Sequence, residues 1–291
     1  MSRLDQQLRL PDERMLGYDE YGSSSGLPLF YFHGSPSSRV EWPLFVGDGL
    51  AQALGLRVIA PDRPGLGLSG FQDGRRIGHW SSDVLSLADR LGLQRFAILG
   101  YSGGGPYALA CAQAIPERLT RVGVISGTGP FDRPGLVDGI PQTNQKYFFL
   151  ARYKPWLSRL MFRGLGFTAR FFGQKMAANA MAVLPEADCQ VMALPEFASG
   201  FLRLIREALR QGPRGAQRDV ALMVSPWEFR PQDITMPVRF WHGEEDVNAP
   251  PAMGRYLAAA APDGQIQFYP GEGHLSLFVK HAEEILGYFL D

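Results

Sequence analysis

The chain has 291 residues, 45% of them hydrophobic and 20% charged, which is typical of a globular protein with one large domain or a domain with an insertion. Its 29 basic residues balance 29 acidic ones, so the net charge gives no reason to expect a nucleic acid or an anionic membrane as partner. The two cysteines suggest no disulfide framework, and we find no signal peptide and no apolar run of ~20 residues, so we expect a cytoplasmic protein without a membrane span.

Short apolar strands alternate with helices in the first half of the chain. Strands are predicted over residues 27–32, 56–60, 95–99 and 119–125, and helices over residues 42–54, 81–91 and 106–114, with Ser81 or Ser82 as the cap of the second helix. This alternation predicts a parallel sheet that is covered by helices on both faces. In such sheets the functional site lies beyond the carboxyl ends of the strands.

The alternation stops after residue 126. Residues 129–212 are helical in character and rich in Phe, Met, Leu and Arg, which predicts an inserted helical domain. Strands return over residues 236–241 and 265–269, with helices over residues 251–260 and 281–289. The sequence therefore predicts a core domain of residues 1–128 and 213–291, interrupted by a helical insertion of residues 129–212.

A short stretch centred on Ser102 has the pattern of a catalytic turn. Residues 98–110 (ILGYSGGGPYALA) place the pentapeptide G-x-S-x-G between a predicted strand and a predicted helix. In that context the turn is sharp, glycine is needed at Gly100 and Gly104, and the serine hydroxyl stands clear of the sheet. The Gly103 N–H is then placed to bind an oxyanion near the helix N-terminus. A dinucleotide-binding loop fits poorly, because the stretch lacks glycine at the third position of G-x-G-x-x-G.

A serine nucleophile needs a base near neutrality, usually histidine, and a carboxylate that orients it. Only His274 of the five histidines lies in a loop after a predicted strand and downstream of a similarly placed carboxylate. Asp246 is the predicted carboxylate, although spacing alone leaves the adjacent Glu244 and Glu245 open. The other histidines are assigned to strand ends (His33 and His242), to the surface or a helix cap (His79), and to a solvated start of the last helix (His281).

A second oxyanion donor is expected from the loop HGSPSS, which follows the first predicted strand at residues 33–38. Gly34 allows the backbone to turn, and Pro36 stiffens the loop because its ring fixes φ. The Ser35 N–H is therefore the predicted second donor, beside that of Gly103.

These blocks resemble the α/β-hydrolase superfamily. The resemblance rests on HGSP (residues 33–36), DRPGLGLS (62–69), GYSGG (100–104), HGEED (242–246) and GEGH (271–274), and it covers about residues 15–127 and 213–291. It implies an α/β-hydrolase fold, with an eight-stranded, mostly parallel sheet flanked by helices and with the insertion as a cap between strands six and seven. It also implies the chain order Ser102, Asp246, His274 for the triad, with no cofactor and no metal. Haloalkane dehalogenases and epoxide hydrolases of this fold use aspartate where this chain has serine.

The leading hypothesis is a serine hydrolase that cleaves a carboxylic ester or a similarly activated carbonyl through an acyl-enzyme. Carbon–carbon bond hydrolysis of a diketone and ligand binding without catalysis, both represented on this fold, stay open as alternatives. The expected partner is a small molecule with an apolar acyl group, and a homodimer is left open. The candidates for an apolar lining, most of which we expect to form the core of the cap instead, are Phe148, Phe149, Trp156, Phe162, Phe167, Phe171, Phe172 and Met176.

Overall fold

The structure is a computed structural model that describes residues 2–290, apart from the side chain of Asp48. Its strands are β1 (Arg3–Arg9), β2 (Met15–Gly22), β3 (Leu27–Phe32), β4 (Leu56–Pro61), β5 (Phe96–Tyr101), β6 (Leu119–Ile125), β7 (Val238–Gly243) and β8 (Gly264–Tyr269). They form one sheet in the order β1-β2-β4-β3-β5-β6-β7-β8. The β1–β2 and β2–β4 pairs are antiparallel and the other five pairs are parallel. The predicted eight-stranded, mostly parallel sheet is confirmed.

Helices connect these strands. The α-helices are α1 (Trp42–Phe45), α2 (Gly47–Ala53), α3 (Trp80–Arg90), α4 (Gly105–Ala114), α5 (Gln142–Tyr153), α6 (Pro155–Phe171), α7 (Gly173–Met181), α8 (Glu186–Met192), α9 (Pro195–Ala208), α10 (Pro213–Met223), α11 (Pro251–Ala260) and α12 (Ser276–Gly287). Single 3₁₀ turns occur at Arg39–Glu41, Ser102–Gly104, Pro116–Arg118 and Pro231–Asp233.

Both faces of the sheet are covered, as the alternation predicts. In β3, Phe30 and Phe32 belong to the apolar core that also contains side chains of α3, α4 and α11. Leu29 and Tyr31, which alternate with them, belong to the core on the opposite face, with α1 and α12. The central strands β3 to β7 are therefore mostly buried on both sides, whereas the edge strand β8 is mostly half-buried. The loops after the carboxyl ends of the parallel strands meet at one edge of the sheet.

Several predicted boundaries differ from those observed. The helix predicted over residues 42–54 is two helices, because the chain breaks at Gly47, where φ is +73°. The last helix begins at Ser276 rather than at His281, which lies at a kink with non-helical φ. The predicted serine cap of α3 is wrong, because Trp80 already begins the helix and the Ser81 hydroxyl donates back to the Gly78 carbonyl.

Six helices, α5 to α10, lie between β6 and β7 in the chain. Helix α10, which the predicted boundaries assign to the core domain, packs against α5 and α6 of the insertion and also carries a carboxylate that reaches the sheet edge. The division into residues 129–212 and the remainder stays a prediction.

Candidate active site

The turn at Ser102 links β5 to α4 through a single 3₁₀ turn. Ser102 has φ +52°, a left-handed conformation that costs energy for any residue with a side chain. A Cβ atom on Gly104 would lie 2.1 Å from the Phe32 carbonyl oxygen, so only glycine fits there. A Cβ atom on Gly105 would lie 2.9 Å from Cγ1 of Val124, which gives a packing reason for a third glycine.

The structure brings the three predicted triad residues together. His274 lies in the loop between β8 and α12, and Asp246 follows β7. The His274 Nε2 atom is 2.9 Å from Ser102 Oγ, and its Nδ1 atom is 2.7 Å from Asp246 Oδ2. These contacts fit the tautomer in which Nδ1 carries the proton and Nε2 accepts from the hydroxyl. A serine held in this way can be deprotonated as it attacks a carbonyl carbon.

Asp246, rather than its glutamate neighbours, contacts the imidazole. The Asp246 side chain is buried and its Oδ1 accepts the N–H groups of Asn248 and Ala249 at 2.9 Å, whereas Glu244 and Glu245 are exposed. Main-chain donors thus fix the carboxylate in place while the second oxygen faces His274.

The remaining histidines lie in other surroundings. His242 is buried, and its Nε2 lies 3.6 Å from Asp246 Oδ2 but donates to the Ala249 carbonyl at 2.7 Å. His33 is buried in the loop after β3, and burial lowers its pKa well below the usual value. His79 is exposed and immediately precedes α3. The prediction that His281 begins the last helix is wrong, because it lies inside α12.

The charges of His274 and Asp246 stabilise each other. Burial alone would lower the pKa of His274, but the Asp246 carboxylate and its hydrogen bond outweigh burial, so the pKa lies above the usual value. Burial would likewise raise the pKa of Asp246, and the charge and hydrogen bond of His274 reverse that effect, so the pKa of the carboxyl lies below its usual range. An imidazolium at His274 would therefore be stabilised by an adjacent carboxylate that stays ionised.

The loop after β3 lies directly beside the serine turn. A Cβ atom on Gly103 would lie 2.7 Å from Cβ and 3.2 Å from the main-chain nitrogen of Ser35. Within residues 2–290 the Ser35 N–H has no hydrogen-bond acceptor, and the Gly103 N–H belongs to the first turn of a helical segment, where amides lack an intrahelical partner. The two residues whose amides the sequence predicts as oxyanion donors are thus neighbours at the turn of Ser102.

A buried ionic cluster holds this loop. Asp219 of α10 accepts the Ser35 hydroxyl at 2.6 Å, the Tyr107 hydroxyl at 2.8 Å and two nitrogens of Arg63 at 2.9 and 3.0 Å. Arg63 in turn donates to the main-chain oxygens of His33 and Gly34 at 2.5 and 2.6 Å. The guanidinium charges hold the pKa of Asp219 far below its usual range despite complete burial. A helix outside the sheet therefore fixes the position of the candidate oxyanion loop.

Three further carboxylates are buried at the site, and no sequence motif points to them: Asp219, Asp188 of α8 and Glu41. Asp188 accepts main-chain N–H groups of the His274 loop, and Glu41 Oε2 accepts the Gly34 N–H at 2.8 Å. Neither α8 nor α10 carries a motif near these residues, so no sequence pattern links them to a site. Arg63 lies in DRPGLGLS, one of the blocks that carry the family resemblance, and this position is the sequence signal that could have identified it.

A cavity of about 490 Å³ opens above Ser102 and His274. This volume is in the range of small-molecule sites. Its walls are mostly apolar, with side chains from α5, α6, α7, α9 and α10, among them Phe148, Met161, Leu165, Met176, Leu204 and Met223. The polar residues of the lining include Glu41, Thr128, Thr143, Asn144 and Asn248. Among the described residues, no lysine or arginine lines this cavity.

The predicted set of lining residues is largely wrong. Phe148 and Met176 line the cavity, whereas Phe162 is buried among the helices. The other five are more than half exposed, so they form neither a lining nor a core: Phe149, Trp156, Phe167, Phe171 and Phe172. The reason is helical periodicity, because α6 turns Met161 and Leu165 toward the cavity and sends the side chains between them to other faces.

Comparisons with known proteins agree with this architecture. The chain is 26% identical over 264 residues to a bifunctional esterase/perhydrolase of Acinetobacter calcoaceticus, an alignment that covers 88% of each chain. It is 25% identical over 266 residues to a 2-hydroxy-6-oxo-6-phenylhexa-2,4-dienoate hydrolase of Burkholderia cepacia, covering 90% of this chain and 85% of that one. A bromoperoxidase structure from Bacillus anthracis superimposes with a TM-score of 0.72 at 19% identity, covering 98% of this chain and 99% of the other, and so shares the fold.

The sequence model of the alpha/beta hydrolase family matches residues 29–287. That range includes the loop after β3, the turn at Ser102, Asp246 and His274, and it runs through the six helices between β6 and β7. Since the match extends over nearly the whole chain and the full-length relatives are hydrolases by name, the protein is a hydrolase and belongs to the alpha/beta hydrolase family.

Proposed function

We propose that the protein hydrolyses carboxylic esters whose acyl groups are uncharged and largely apolar, and that it does so through a serine acyl-enzyme. The observation that carries this proposal is the hydrogen-bonded series from Ser102 Oγ through the His274 imidazole to Asp246, at the wall of a mostly apolar cavity. An ester needs no cofactor for this chemistry, only a nucleophile, a base and donors for the oxyanion.

In the proposed reaction, His274 Nε2 takes the proton of Ser102 as Oγ bonds to the ester carbonyl carbon. The N–H groups of Ser35 and Gly103 then bind the oxyanion, an effect worth about 3 kcal/mol per donor. When the intermediate collapses, His274 gives its proton to the departing alcohol. The same nitrogen then takes a proton from a water molecule as the water oxygen bonds to the acyl carbon. His274 returns that proton to Ser102 Oγ as the bond between Oγ and the acyl carbon breaks and the acid leaves, while Asp246 holds the imidazole in one tautomer.

We also propose that residues 129–212 act as a cap that selects the substrate. Phe148, Met161, Leu165 and Leu204, which all come from this segment, supply apolar walls of the cavity. An acyl chain that replaces water against these side chains gains about 25 cal/mol per Å² of buried apolar surface. The cap would therefore favour longer or aromatic acyl groups over acetate.

Carbon–carbon bond hydrolysis is the second candidate, since one relative is named for a dienoate substrate. A dienoate carries a carboxylate, which is costly to bury without a cationic partner. The described lining of this cavity offers no lysine or arginine and places the Glu41 carboxyl in the wall, so it favours an uncharged substrate. We therefore rank ester hydrolysis first.

The decisive experiment compares the natural protein with a Ser102→Ala variant on p-nitrophenyl butyrate and with a fluorophosphonate probe. We expect the variant to lose turnover and labelling, while Ser82→Ala, which changes an exposed serine of α3, keeps both. Full labelling of Ser102→Ala would refute the assignment of the nucleophile.

A second assay separates the candidate functions. The enzyme is given p-nitrophenyl butyrate and the phenyl-substituted dienoate in parallel, and we expect the larger kcat/KM for the ester. A larger value for the dienoate would favour carbon–carbon hydrolysis. A protein that neither labels nor turns over any of these compounds, but binds esters, would be a ligand-binding member of the family.

A further inference from the structure

The segment that contains α5, α6 and α7 has an unusual charge. Residues 139–185 include no aspartate or glutamate, although the whole chain has 29 acidic and 29 basic residues. The basic residues of this segment are Lys146, Arg152, Lys154, Arg159, Arg163, Arg170 and Lys175. The balanced net charge of the chain therefore conceals a concentrated positive region, with a matching excess of negative charge elsewhere.

Helix α6 presents an apolar stripe to solvent. Trp156, Leu160, Phe167 and Phe171 are 68%, 58%, 57% and 60% exposed. At 100° per residue these four side chains fall within an arc of about 60° on the helix. Large apolar groups aligned on one exposed face mark an interaction surface rather than scattered surface residues.

A basic stripe runs directly beside the apolar one. Arg159, Arg163 and Arg170 of α6 are exposed and fall within a neighbouring arc of about 40°. None of these three arginines has a salt-bridge partner within residues 2–290. The opposite face of α6 is buried through Ser158, Phe162 and Ala169.

The helices on either side of α6 extend the same surface. Phe149 and Tyr153 of α5 are exposed, with ring centroids 4.9 Å apart, and the Arg152 guanidinium lies 4.9 Å from the Tyr153 ring. Phe172, just before α7, is also exposed, and its ring centroid lies 6.1 Å from that of Phe167. We call this aromatic and basic outer face of α5, α6 and the start of α7 the basic aromatic face.

We propose that the basic aromatic face binds the surface of an anionic lipid bilayer. A helix with an apolar stripe beside a basic one lies in the plane of a bilayer, with its rings among the acyl chains and its cations at the headgroups. A second copy of this chain is the less favourable occupant, because a symmetric pairing would place two positive faces against each other. The binding is peripheral, since no helix of the described residues is long and apolar enough to span a bilayer.

The opposite faces of these helices line the candidate active site. Phe148 of α5 and Met161 and Leu165 of α6 contribute to the cavity wall, while neighbouring residues of the same helices form the basic aromatic face. A bilayer bound there would lie against the outside of the cavity wall. The proposal itself does not depend on hydrolysis, and a Ser102→Ala variant should bind vesicles as the natural protein does.

Sedimentation with lipid vesicles tests the proposal. The natural protein is mixed with vesicles of phosphatidylglycerol and phosphatidylcholine in equal parts, or of phosphatidylcholine alone, at low and high salt. We expect binding to the anionic vesicles that weakens strongly at high salt, because the attraction is screened. Trp156 serves as an internal probe, because Trp42, Trp80 and Trp241 are buried and the half-buried Trp227 is stacked on Phe229, outside the basic aromatic face. Its emission should shift to the blue on binding, and this shift should be absent in Trp156→Phe.

Matched variants locate the binding surface. Lys154 is exposed between α5 and α6 and adds a cation beside this face, whereas Arg159 also donates a hydrogen bond to Gln217 and is left unchanged. Loss of three cations in Lys154→Gln/Arg163→Gln/Arg170→Gln should weaken vesicle binding about 100-fold. The control Arg76→Gln/Arg90→Gln/Arg230→Gln removes the same charge from exposed positions elsewhere and should have little effect. Trp156→Ala/Phe167→Ala should weaken binding at least about tenfold. Its control, Leu4→Ala/Leu27→Ala, truncates two exposed apolar residues of the sheet and should have little effect on vesicle binding.

Three results would overturn the proposal. The first is no salt-dependent binding of the natural protein to the anionic vesicles. The second is an equal loss of binding in the two charge variants, which would show that net charge rather than this face is responsible. The third is a dimer that Trp156→Ala dissociates, or a duplex DNA that binds more tightly than the vesicles, either of which would assign the face to another partner.

Discussion

Asp188 of α8 accepts the main-chain N–H of His274 at 2.8 Å and those of Leu275 and Ser276 at 2.9 Å. These amides lie at the start of α12, where no intrahelical acceptor is available, so a carboxylate from a distant helix caps it. A Cβ atom on Gly273 would lie 2.5 Å from the same carboxylate, which explains the glycine before the histidine. The histidine loop is thus fixed from outside the sheet.

Removing this carboxylate should reduce both stability and turnover. Asp188→Ala leaves three buried N–H groups without an acceptor, so we expect the free energy of unfolding to fall by about 3–5 kcal/mol. Urea unfolding measures this loss, and kcat is measured under conditions where the variant stays folded. We expect kcat to fall while KM changes little, because the imidazole and not the cavity wall is displaced.

Two further variants serve as an intermediate case and as a control for Asp188→Ala. Asp188→Asn keeps one acceptor oxygen and should fall between the natural protein and the alanine variant. Asp138→Ala removes an exposed carboxylate and should leave the free energy of unfolding within about 0.5 kcal/mol. An alanine variant at Asp188 as stable and as active as Asp138→Ala would refute the positioning role.

The main chain, not the side chain, is the proposed donor at Ser35. Ser35→Ala keeps the N–H and should lower kcat by less than about tenfold, although the hydrogen bond from its hydroxyl to Asp219 is lost. Gly103→Ala should lower kcat by about 10²-fold or more, because its Cβ would lie 2.7 Å from that of Ser35 and push the two donors apart. Steady-state kinetics on p-nitrophenyl butyrate measures both.

The glycine prediction has a control within the chain. A Cβ atom on Gly164 of α6 meets nothing within 4 Å, so Gly164→Ala should leave kcat unchanged and stabilise the helix by up to about 1 kcal/mol. If Ser35→Ala proved as damaging as Gly103→Ala, the hydroxyl rather than the N–H would be the important group of Ser35.

Neutralising Asp219 should destabilise the protein, because Arg63 and Arg75 would remain buried without their counter-charge. We expect Asp219→Asn to lower the free energy of unfolding by about 3–5 kcal/mol near pH 7. The pKa of Asp219 is lowered in the folded state, so its contribution is present above the unfolded pKa of about 4 and declines as the pH falls below it. Urea unfolding at pH 7 and pH 3 should therefore show a smaller difference between the two proteins at pH 3. Equal differences at both pH values would contradict this account.

The local residue pattern was sufficient to predict most strands of the sheet, but not the first two, β1 and β2. Strands β3 to β8 are short apolar runs that end at glycine or charged turns, and all were predicted from that pattern. Strand β1 (RLDQQLR) lies at the edge of the sheet with polar, mostly exposed side chains, so no apolar run marks it. Its pairing with β2 provides the ordering that its composition does not.

Some residues of the candidate site could likewise be predicted from the sequence, and others could not. Ser102, Asp246 and His274 follow strand ends, where short motifs identify them. Asp188 and Asp219 lie in helices, and their partners are main-chain amides or arginines far away in the sequence. A lone acidic residue in an amphipathic helix usually faces solvent, so only the packing of the helices against the sheet edge reveals that these two are buried.

The pH dependence of activity should report the pairing of His274 with Asp246. In the proposed reaction His274 must be unprotonated to act as the base, so kcat/KM should fall as the pH drops through the pKa of His274. Asp246 raises that pKa above its usual value of 6.5 by more than burial lowers it, so the acid limb should lie above pH 6.5. In Asp246→Asn burial acts without the compensating charge, so the pKa should fall, and kcat should drop by about 10³–10⁴-fold because the tautomer is no longer held. Titration of the imidazole Cε1–H by NMR gives the pKa of His274 directly even where activity is too low to follow.

Glu245→Gln, which neutralises an exposed neighbour of Asp246, should leave both the acid limb and the NMR titration unchanged. An acid limb that moves equally in the two variants would show that general surface charge, and not the buried contact, sets the pKa of the base.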